Sequence, residues 1–299
     1  MKHEPIDKFA LVTDKIINLL AAGVKPWARP WHSASGPSIY RNVASGNAYS
    51  GINPLLCSID CATLGDFRPF FIGFAQAKAL NWQLQKGSKS TWLRWGGVVK
   101  RERVNAETGG VDTDYIGCGK WLSVFHISMF SDAGAPVSIA DHCAQYAPEP
   151  VARADHARDT AIDGFVAETG AQVLHGGDRA CYMPTTDRIH MPDLSAFGTR
   201  ESYYSTLLHE LTHWTGHKSR LARDMTSGFG SPGYAFEELV AALGAAFLCN
   251  DAGITSEADS HASYIDNWLS RLKHDTKFFF KAAGAARSAH TFLEPAVKA

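Results

Sequence analysis

The sequence predicts an α+β protein of two units: a small α+β unit over residues 1–130 and a mostly helical unit with a short sheet over residues 153–299. The chain has 299 residues, about the length of two ordinary domains, and 45% of them are hydrophobic, which suffices for a core. Strand-like segments concentrate in the first unit, whereas helical periodicity dominates the second. Since no apolar run approaches the ~20 residues of a membrane helix, we expect a soluble protein with no membrane partner.

Charge and tryptophan are distributed unevenly along the chain. The formal net charge is -1, but residues 1–130 hold 15 Lys and Arg against 9 Asp and Glu, and residues 131–299 hold 14 against 21. The first unit also contains six of the eight tryptophans. The near-neutral whole therefore combines a basic, tryptophan-rich half with an acidic half.

The cysteines and the first residues predict the compartment. Six cysteines are scattered along the chain without a CxxC pair, which argues against a disulfide scaffold. Charges at Asp7 and Lys8 interrupt any apolar signal-peptide region. We therefore expect a reducing, cytoplasmic location.

The first unit is predicted to alternate helices and strands. Apolar residues at helical spacing predict a helix over 6–22 that ends at Gly23, and a loop rich in Pro, Gly, Ser and Asn follows over 25–54. The remaining elements are a helix over 55–64, a strand over 70–74, a helix over 75–85, and two β segments over 91–104 and 115–127 joined by a turn at 107–110. Residues 131–152 lack a clear period and contain three prolines, so we expect a linker there.

The second unit is predicted to be mainly helical. A helix over 152–169 precedes a pair of strands over 180–182 and 188–191. Four further helices are predicted over 201–216, 234–250, 264–275 and 277–289. In a metallopeptidase an edge strand can bind an extended peptide, and the strand 188–191 is the candidate here, with a purely structural hairpin as the alternative.

A metal-binding pattern lies in the first of these four helices. Residues four apart lie on one face of a helix, so His209 and His213 can direct two imidazoles at one metal ion. Glu210, between them, can reach a water molecule held by the metal and serve as general base. The HExxH pattern therefore predicts a metallopeptidase-type site, with two partly buried structural histidines as the alternative.

A third ligand is expected from the next helix. His217 cannot join the other two histidines, because ligands at i, i+4 and i+8 spread over about 12 Å of helix, and Ser219 stands where the metzincin pattern needs a histidine. We expect Glu238 as the third ligand, with Glu237 as the alternative, because small residues at 241, 242 and 245 continue the face of Glu238. Such ligands suit one divalent ion, with Zn²⁺ expected and Mn²⁺ or Co²⁺ as alternatives.

The basic half contains mixtures of cations and aromatic rings typical of single-stranded nucleic-acid binding. Cations contact phosphates, and unpaired bases stack on ring faces. We find no helix-turn-helix or zinc-finger spacing, as duplex readers would need. For a single tryptophan a core role is the alternative. The candidate DNA-binding residues are Trp27, Arg29, Trp31, Arg41, Lys86, Lys89, Trp92, Arg94, Trp95 and Arg101.

Several longer motifs resemble those of ArdC-type antirestriction proteins, a plasmid-borne family. The chain carries YSGINPLL at 49–56, FAQAKALNWQLQKGSKST at 74–91, YYSTLLHELTHWTGHKSRLAR at 203–223 and FGSPGYAFEELVAALGAAFL at 229–248. The resemblance implies an N-terminal single-stranded-DNA-binding domain and a C-terminal zincin-like metallopeptidase domain. It also implies that the protein shields incoming plasmid DNA from host restriction during conjugation.

Carried over to this sequence, the resemblance implies that His209, His213 and Glu238 bind the metal and that Glu210 is the general base. The chain departs from the family pattern at Ala242, where relatives usually have an acidic residue four positions after the ligand glutamate. Such an acid could orient a metal-bound histidine. Two other functions stay open: proteolysis of a host protein as the essential activity, and non-catalytic DNA binding with a structural metal.

Overall fold

The computed structural model describes residues 7–24, 39–66, 68–104, 111–146, 157–225, 227–228, 231–254, 256 and 262–297, with only the backbone at 97–104, 111–118, 262–264 and 295–297. The helices of the first half are α1 (Lys8–Ala21), α2 (Asn53–Leu64), α3 (Phe74–Ala79) and α4 (Ile139–Ala144). Its strands are β1 (Arg41–Asn42), β2 (Phe70–Ile72), β3 (Gln83–Leu84), β4 (Thr91–Val104), β5 (Val111–His126) and β6 (Phe130–Ser131).

The second half contains a small sheet and five helices among the described residues. Its strands are β7 (Gln172–His175), β8 (Cys181–Met183) and β9 (Arg188–Met191). Its helices are α5 (Thr160–Glu168), α6 (Arg200–Thr215), α7 (Pro232–Ala252), α8 (Ala262–His274) and α9 (Phe278–Val297). The predicted α+β architecture is therefore confirmed.

A long hairpin dominates the first half. Strands β4 and β5 pair antiparallel from Thr91↔Val124 to Val104↔Val111. Strand β5 also pairs with β2, and β2 with β1, which gives the order β1-β2-β5-β4 with β4 at an edge. Helix α1 begins at Asp7, whose carboxylate accepts hydrogen bonds from the backbone N–H groups of Phe9 and Ala10. Helix α1 contacts the hairpin through Phe9, whose ring lies 5.1 Å from that of Trp121 in β5.

The two halves share one hydrophobic core. Ile16 of α1 and Phe71 of β2 are fully buried in the same cluster as Val240 of α7, Trp268 of α8 and Phe279 of α9. The Trp268 indole N–H donates to the carbonyl of Ala235, which joins α8 to α7. Because burial of large side chains is the main stabilising contribution, the halves pack as one body in the described parts of the chain.

Helix α7 is the centre of the second half. By length and composition α7 could span a membrane. However, 72% of its most apolar 18-residue segment is buried inside the protein, as in the core helix of a globular fold. Gly244 allows α7 to approach α6 closely, because a Cβ there would lie 2.4 Å from Cγ2 of Thr212. The close packing brings the faces of α6 and α7 that carry the metal motif together.

Several element boundaries differ from the predictions. The helix predicted over 75–85 ends at Ala79, because Asn81 is left-handed with a φ of 58° and turns the buried Trp82 towards the core, where its indole N–H donates to Val137. The helix predicted over 152–169 begins at Thr160, where Asp159 caps its N-terminus. The short strands β1 and β7 were not predicted.

Part of the segment expected to be a linker is folded onto the first half. Within residues 131–146, Ser131 pairs with Gln83 across β6 and β3. Ile139 of α4 is buried in the cluster that contains Val43 and Trp82. Residues 147–156 lie outside the described residues. The boundary between the two predicted domains stays a prediction.

Candidate metal centre and nucleic-acid interface

Helix α6 presents two histidines to a cleft because its other side is anchored in the core. Thr199 caps the helix by accepting a hydrogen bond from the backbone N–H of Ser202. Tyr203, Leu207, Leu208, Leu211 and Trp214 are buried along the helix. The rings of His209 and His213, four residues apart, lie 4.8 Å from each other between their centroids.

Helix α7 adds a carboxylate to the two imidazoles. Glu238 places Oε2 3.6 Å from Nε2 of His209 and Oε1 3.6 Å from Nε2 of His213. One ligand atom of each residue lies within 4.8 Å of the others. Atoms about 2.0–2.1 Å from one tetrahedral ion lie about 3.4 Å apart, so this spacing fits a single metal ion. The two nitrogens and one oxygen are also a donor set that divalent zinc or manganese accepts.

The charge state of Glu238 also suits a cation. Burial disfavours ionisation, but the imidazoles of His209 and His213, each 3.6 Å away, hold the pKa of Glu238 at about 2. The carboxylate is therefore ionised throughout the neutral range. We expect a bound cation to favour this form further.

Glu237 occupies a different position from Glu238. Its Oε1 lies 3.0 Å from Nδ1 of His213, on the ring edge opposite the atom that faces Glu238. Arg223 donates two hydrogen bonds to the same carboxylate, from Nη2 to Oε1 at 2.8 Å and from Nε to Oε2 at 2.9 Å. Burial alone would raise the pKa of Glu237, but His213 and Arg223 together lower it. Glu237 thus contacts the back of His213 while Glu238 faces the two Nε2 atoms.

The chain of contacts fixes the orientation of His213. Burial lowers the pKa of His213, but its hydrogen bond to Glu237 and the neighbouring carboxylates raise it to about 9. Arg223 also donates to Oγ1 of Thr215 and to the carbonyl of Thr212, at the end of α6. A carboxylate behind a ligand histidine sets the direction of the free ring nitrogen.

His209 differs from His213 in this respect. Its Nδ1 is buried and has no hydrogen-bond partner among the described residues. Ala242, one helical turn after Glu238, has no polar atom on its side chain to supply one. The Nδ1 atom of His213 therefore has a carboxylate partner, whereas that of His209 has no partner among the described residues.

Glu210 faces a cleft of about 570 Å³ that also contains the three candidate ligands. The backbone N–H of Tyr182, in β8, donates to Oε2 of Glu210 at 2.6 Å. The carboxylate is thus positioned by an edge strand at the wall of the cleft. His217 lies beyond the end of α6, where Nδ1 is 2.7 Å from Oγ of Ser219, and it is outside the ligand group, as expected.

The strand predicted to bind peptide is not at an edge. Strand β9 is the middle strand of the order β7-β9-β8, with β7 parallel on one side and β8 antiparallel on the other. Its backbone groups are already paired, so the expectation for 188–191 was wrong. The edge strand beside the cleft is β8, whose Cys181 and Tyr182 line it.

Three candidate DNA-binding residues lie in β4 near the base of the hairpin. Trp92 and Arg94 share one face of the strand, and Trp95, which is 47% exposed, lies on the other. Lys120 lies over Trp95 at 5.2 Å, and Lys8 of α1 lies over Trp92 at 4.2 Å. Lys86 and Lys89 are exposed in the segment that leads into β4.

The other candidate DNA-binding residues lie away from β4 or outside the described residues. Arg41 lies in β1, at the opposite edge of the four-stranded sheet from β4, and its guanidinium rests over Tyr146. The structure therefore does not bring Arg41 close to Trp92, Arg94 and Trp95 in β4. Trp27, Arg29 and Trp31 lie outside the described residues, and only the backbone of Arg101 is described.

Three further residues, Phe9, Lys120 and Trp121, lie beside the candidates in β4 and were not predicted from the sequence. Arg94 lies over the rings of Phe9 and Trp121, at 5.7 and 5.5 Å from their centroids. Trp121 is the cross-strand partner of Arg94, and Lys120 that of Trp95. Pairing the two β segments residue by residue would have indicated Lys120 and Trp121, but no local pattern indicates Phe9.

Comparison with known protein families identifies both halves. Residues 7–125 match the model of the N-terminal domain of the anti-restriction factor ArdC, and residues 160–285 match that of a zincin-like metallopeptidase. The crystal structure of the metal-free antirestriction protein ArdC from plasmid R388 is 35% identical, covers 98% of both chains and superposes with a TM-score of 0.74. The chain belongs to the ArdC family of antirestriction proteins.

Other members of the ArdC group are similar over nearly the whole chain. The Mn(II)-bound structure of R388 ArdC is 34% identical, with a TM-score of 0.73 and 98% of both chains covered. A DNA primase, TraC of Escherichia coli, is 33% identical over 94% of this chain. This chain spans only 26% of that primase. The protein y4eC of Sinorhizobium fredii is 32% identical, over 95% of this chain and 90% of its own length.

Proposed function

We propose that this ArdC-type protein binds single-stranded DNA at the base of the β4–β5 hairpin and holds one divalent metal ion between α6 and α7. By binding the single-stranded DNA in the cytoplasm, it protects incoming plasmid DNA from host restriction during conjugation. The observation that carries the proposal is the exposed ring of Trp95, with its cross-strand partner Lys120 lying over it at 5.2 Å. A flat ring beside cations provides both a stacking surface for an unpaired base and charges for its phosphates.

Replacing Trp95 by alanine tests the DNA-binding part. Loss of one stacked base costs about 1–3 kcal/mol, so we expect the affinity of the full chain for an oligothymidine to fall roughly 5- to 150-fold. Fluorescence anisotropy over a range of salt concentrations measures this. Leu122→Ala is the matched control, since Leu122 is exposed on the same face of the hairpin but has no ring.

The outcome for the control decides the interpretation. Leu122→Ala should bind as the wild-type chain does. If the wild-type chain does not bind oligothymidine, or if Trp95→Ala binds as tightly as wild type, the DNA-binding proposal is wrong.

The metal part rests on the fit of His209, His213 and Glu238 to one ion. A bound divalent ion would supply Lewis acidity and lower the pKa of a water molecule towards ~7. Zn²⁺ is expected, and Mn²⁺ is the alternative, because a related ArdC structure holds Mn(II). Metal analysis of the purified protein distinguishes them.

A second function, hydrolysis of a host protein, is favoured by one specific feature. Glu210 stands in the cleft beside the ligand group, where a general base of a metallopeptidase belongs. Such a base contributes about 10²- to 10⁴-fold to a rate, so its loss would abolish any essential proteolysis. The cleft and the edge strand β8 could accommodate an extended peptide.

Glu210→Gln separates the two functions. Glutamine keeps an oxygen that can accept the hydrogen bond from Tyr182, so we expect unchanged metal content and DNA affinity. We also expect unchanged protection of an unmodified plasmid during conjugation into a restricting host. Loss of protection by this variant, with metal and DNA binding intact, would show that hydrolysis is the essential activity. If removing the metal lowers the melting temperature but leaves protection intact, the metal is structural.

A further inference from the structure

Aromatic rings from both halves of the chain meet at the base of the hairpin. Phe9 of α1 lies 5.1 Å from Trp121 of β5 and 4.8 Å from Phe280 of α9, and Trp121 lies 5.7 Å from Phe280. All three pairs meet nearly edge to face, the favoured arrangement for aromatic rings. These rings lie on the face of the hairpin that carries Trp121 and Arg94, opposite to Trp95 and Lys120, and the second half of the chain completes that face.

A cation from the second half joins this aromatic group. Lys277, just before α9, places Nζ 5.8 Å from the centroid of Phe9, on which Arg94 also rests. Lys277 is exposed. Among the described residues, no carboxylate oxygen lies within 4.0 Å of the charged groups of Lys277, Arg94, Lys120 or Lys8. None of these four cations forms an ion pair within the described residues, and Asp275, the nearest acid in the sequence to Lys277, accepts a hydrogen bond from its backbone N–H rather than from its ammonium group.

The segment around Lys277 is basic although the second half is acidic. Residues 271–281 contain four Lys and Arg and one Asp, and all four cations are exposed. The single acid, Asp275, pairs with Lys281 at 2.7 Å. Lys277 lies on the side of the second half that packs against α1, because its Nζ lies over the ring of Phe9.

We propose that the surface for single-stranded DNA continues from Trp95 around the free edge of β4 to the face that carries Arg94, and from there onto the second half, where Lys277 contacts a phosphate of the bound DNA. This proposal rests on the DNA binding proposed above and extends it. The first half alone then lacks part of the binding surface, and the zincin-like half takes part in DNA binding through residues outside its metal cleft. The ring of Phe280 packs against Phe9 and Trp121 and fixes their positions beside the bound DNA.

Neutralising Lys277 in the full chain tests this assignment. Each phosphate contact with single-stranded DNA contributes about 0.7 to the slope of log affinity against log salt. Lys277→Gln should therefore reduce the slope by about 0.7 and weaken oligothymidine binding about fourfold at 0.15 M salt. Lys277→Arg, which keeps the charge, should bind as wild type.

Lys218→Gln is the matched control. Lys218 is exposed in the same half of the chain, and its loss changes the net charge equally but lies just after α6, outside the aromatic group. Its salt slope should equal that of wild type. If Trp95→Ala weakens DNA binding while Lys277→Gln and Lys218→Gln have the same affinity and salt slope, the proposal of an extended surface is wrong. The DNA-binding proposal then stands. If wild type itself does not bind, the proposed function fails first.

Discussion

Arg223→Met should lower the free energy of unfolding by about 3–5 kcal/mol, the cost of removing one partner from a buried ion pair, with His213 left as the other partner of the Glu237 carboxylate. The side chains of Arg223 and Glu237 are only 11% and 7% exposed, so water cannot replace the guanidinium. The variant also loses the hydrogen bonds to Thr212 and Thr215 that close the end of α6. Chemical denaturation monitored by circular dichroism measures the change.

The matched control for this experiment is Arg220→Met in the same loop. Arg220 pairs with Asp187, whose side chain is 38% exposed and can be solvated when the arginine is lost. Arg220 is itself largely buried and donates to the carbonyl of Trp214, so both variants lose packing and a main-chain hydrogen bond, and only Arg223→Met leaves a buried carboxylate behind. We therefore expect a smaller loss of stability for Arg220→Met. Equal losses would show that burial of the Glu237 carboxylate is not what makes Arg223 important.

The metal motif and its helices could be predicted because their signals are local. The spacing of His209 and His213 fixes both on one helical face, and the small residues after Glu238 indicated which glutamate faces them. The roles of Glu237 and Arg223 could not be predicted, because Arg223 reaches Glu237 from a loop that has no periodicity. The partner of Glu210 is a backbone N–H in a separate strand, and a backbone group leaves no trace in the sequence.

The position of strand β9 shows a second limit. Its own pattern predicted a strand correctly, but whether a strand lies at an edge depends on its neighbours. Strand β7 pairs with it in parallel, and β7 itself is mostly exposed and lacks an alternating apolar pattern. A short, solvent-facing strand of this kind gives no period-2 signal, so the third strand of the sheet was missed.

The proposed nucleic-acid surface shows the same limit over longer distances. Trp92, Arg94 and Trp95 stand close together in the sequence and were predicted from composition. Phe9 and Lys277 are separated by most of the chain, and they meet only because α1 packs with α8 and α9 around the shared core. Arg41 satisfied the same compositional criterion yet lies at the far edge of the sheet. Composition identified the kind of surface, and the fold decided its members.

Ala242→Asp should raise the affinity for the divalent ion by about 10- to 100-fold, the usual contribution of a carboxylate behind a ligand histidine. His213 already has such a partner in Glu237, whereas the buried Nδ1 of His209 has none among the described residues. Ala242 follows Glu238 by one turn, so an acid there lies on the helical face that Glu238 uses to meet His209. Competition against a metal chelator measures the affinity.

Ala242→Asn separates hydrogen bonding from charge. Position 242 is only 3% exposed, so an aspartate there is destabilising until it is paired, whereas asparagine accepts the same hydrogen bond without a buried charge. We expect asparagine to give a smaller gain in metal affinity and a higher melting temperature without metal than aspartate. If both variants fold and neither binds the ion more tightly than wild type, the orientation of His209 does not limit metal binding. The missing acid of the family pattern then has no consequence for this site.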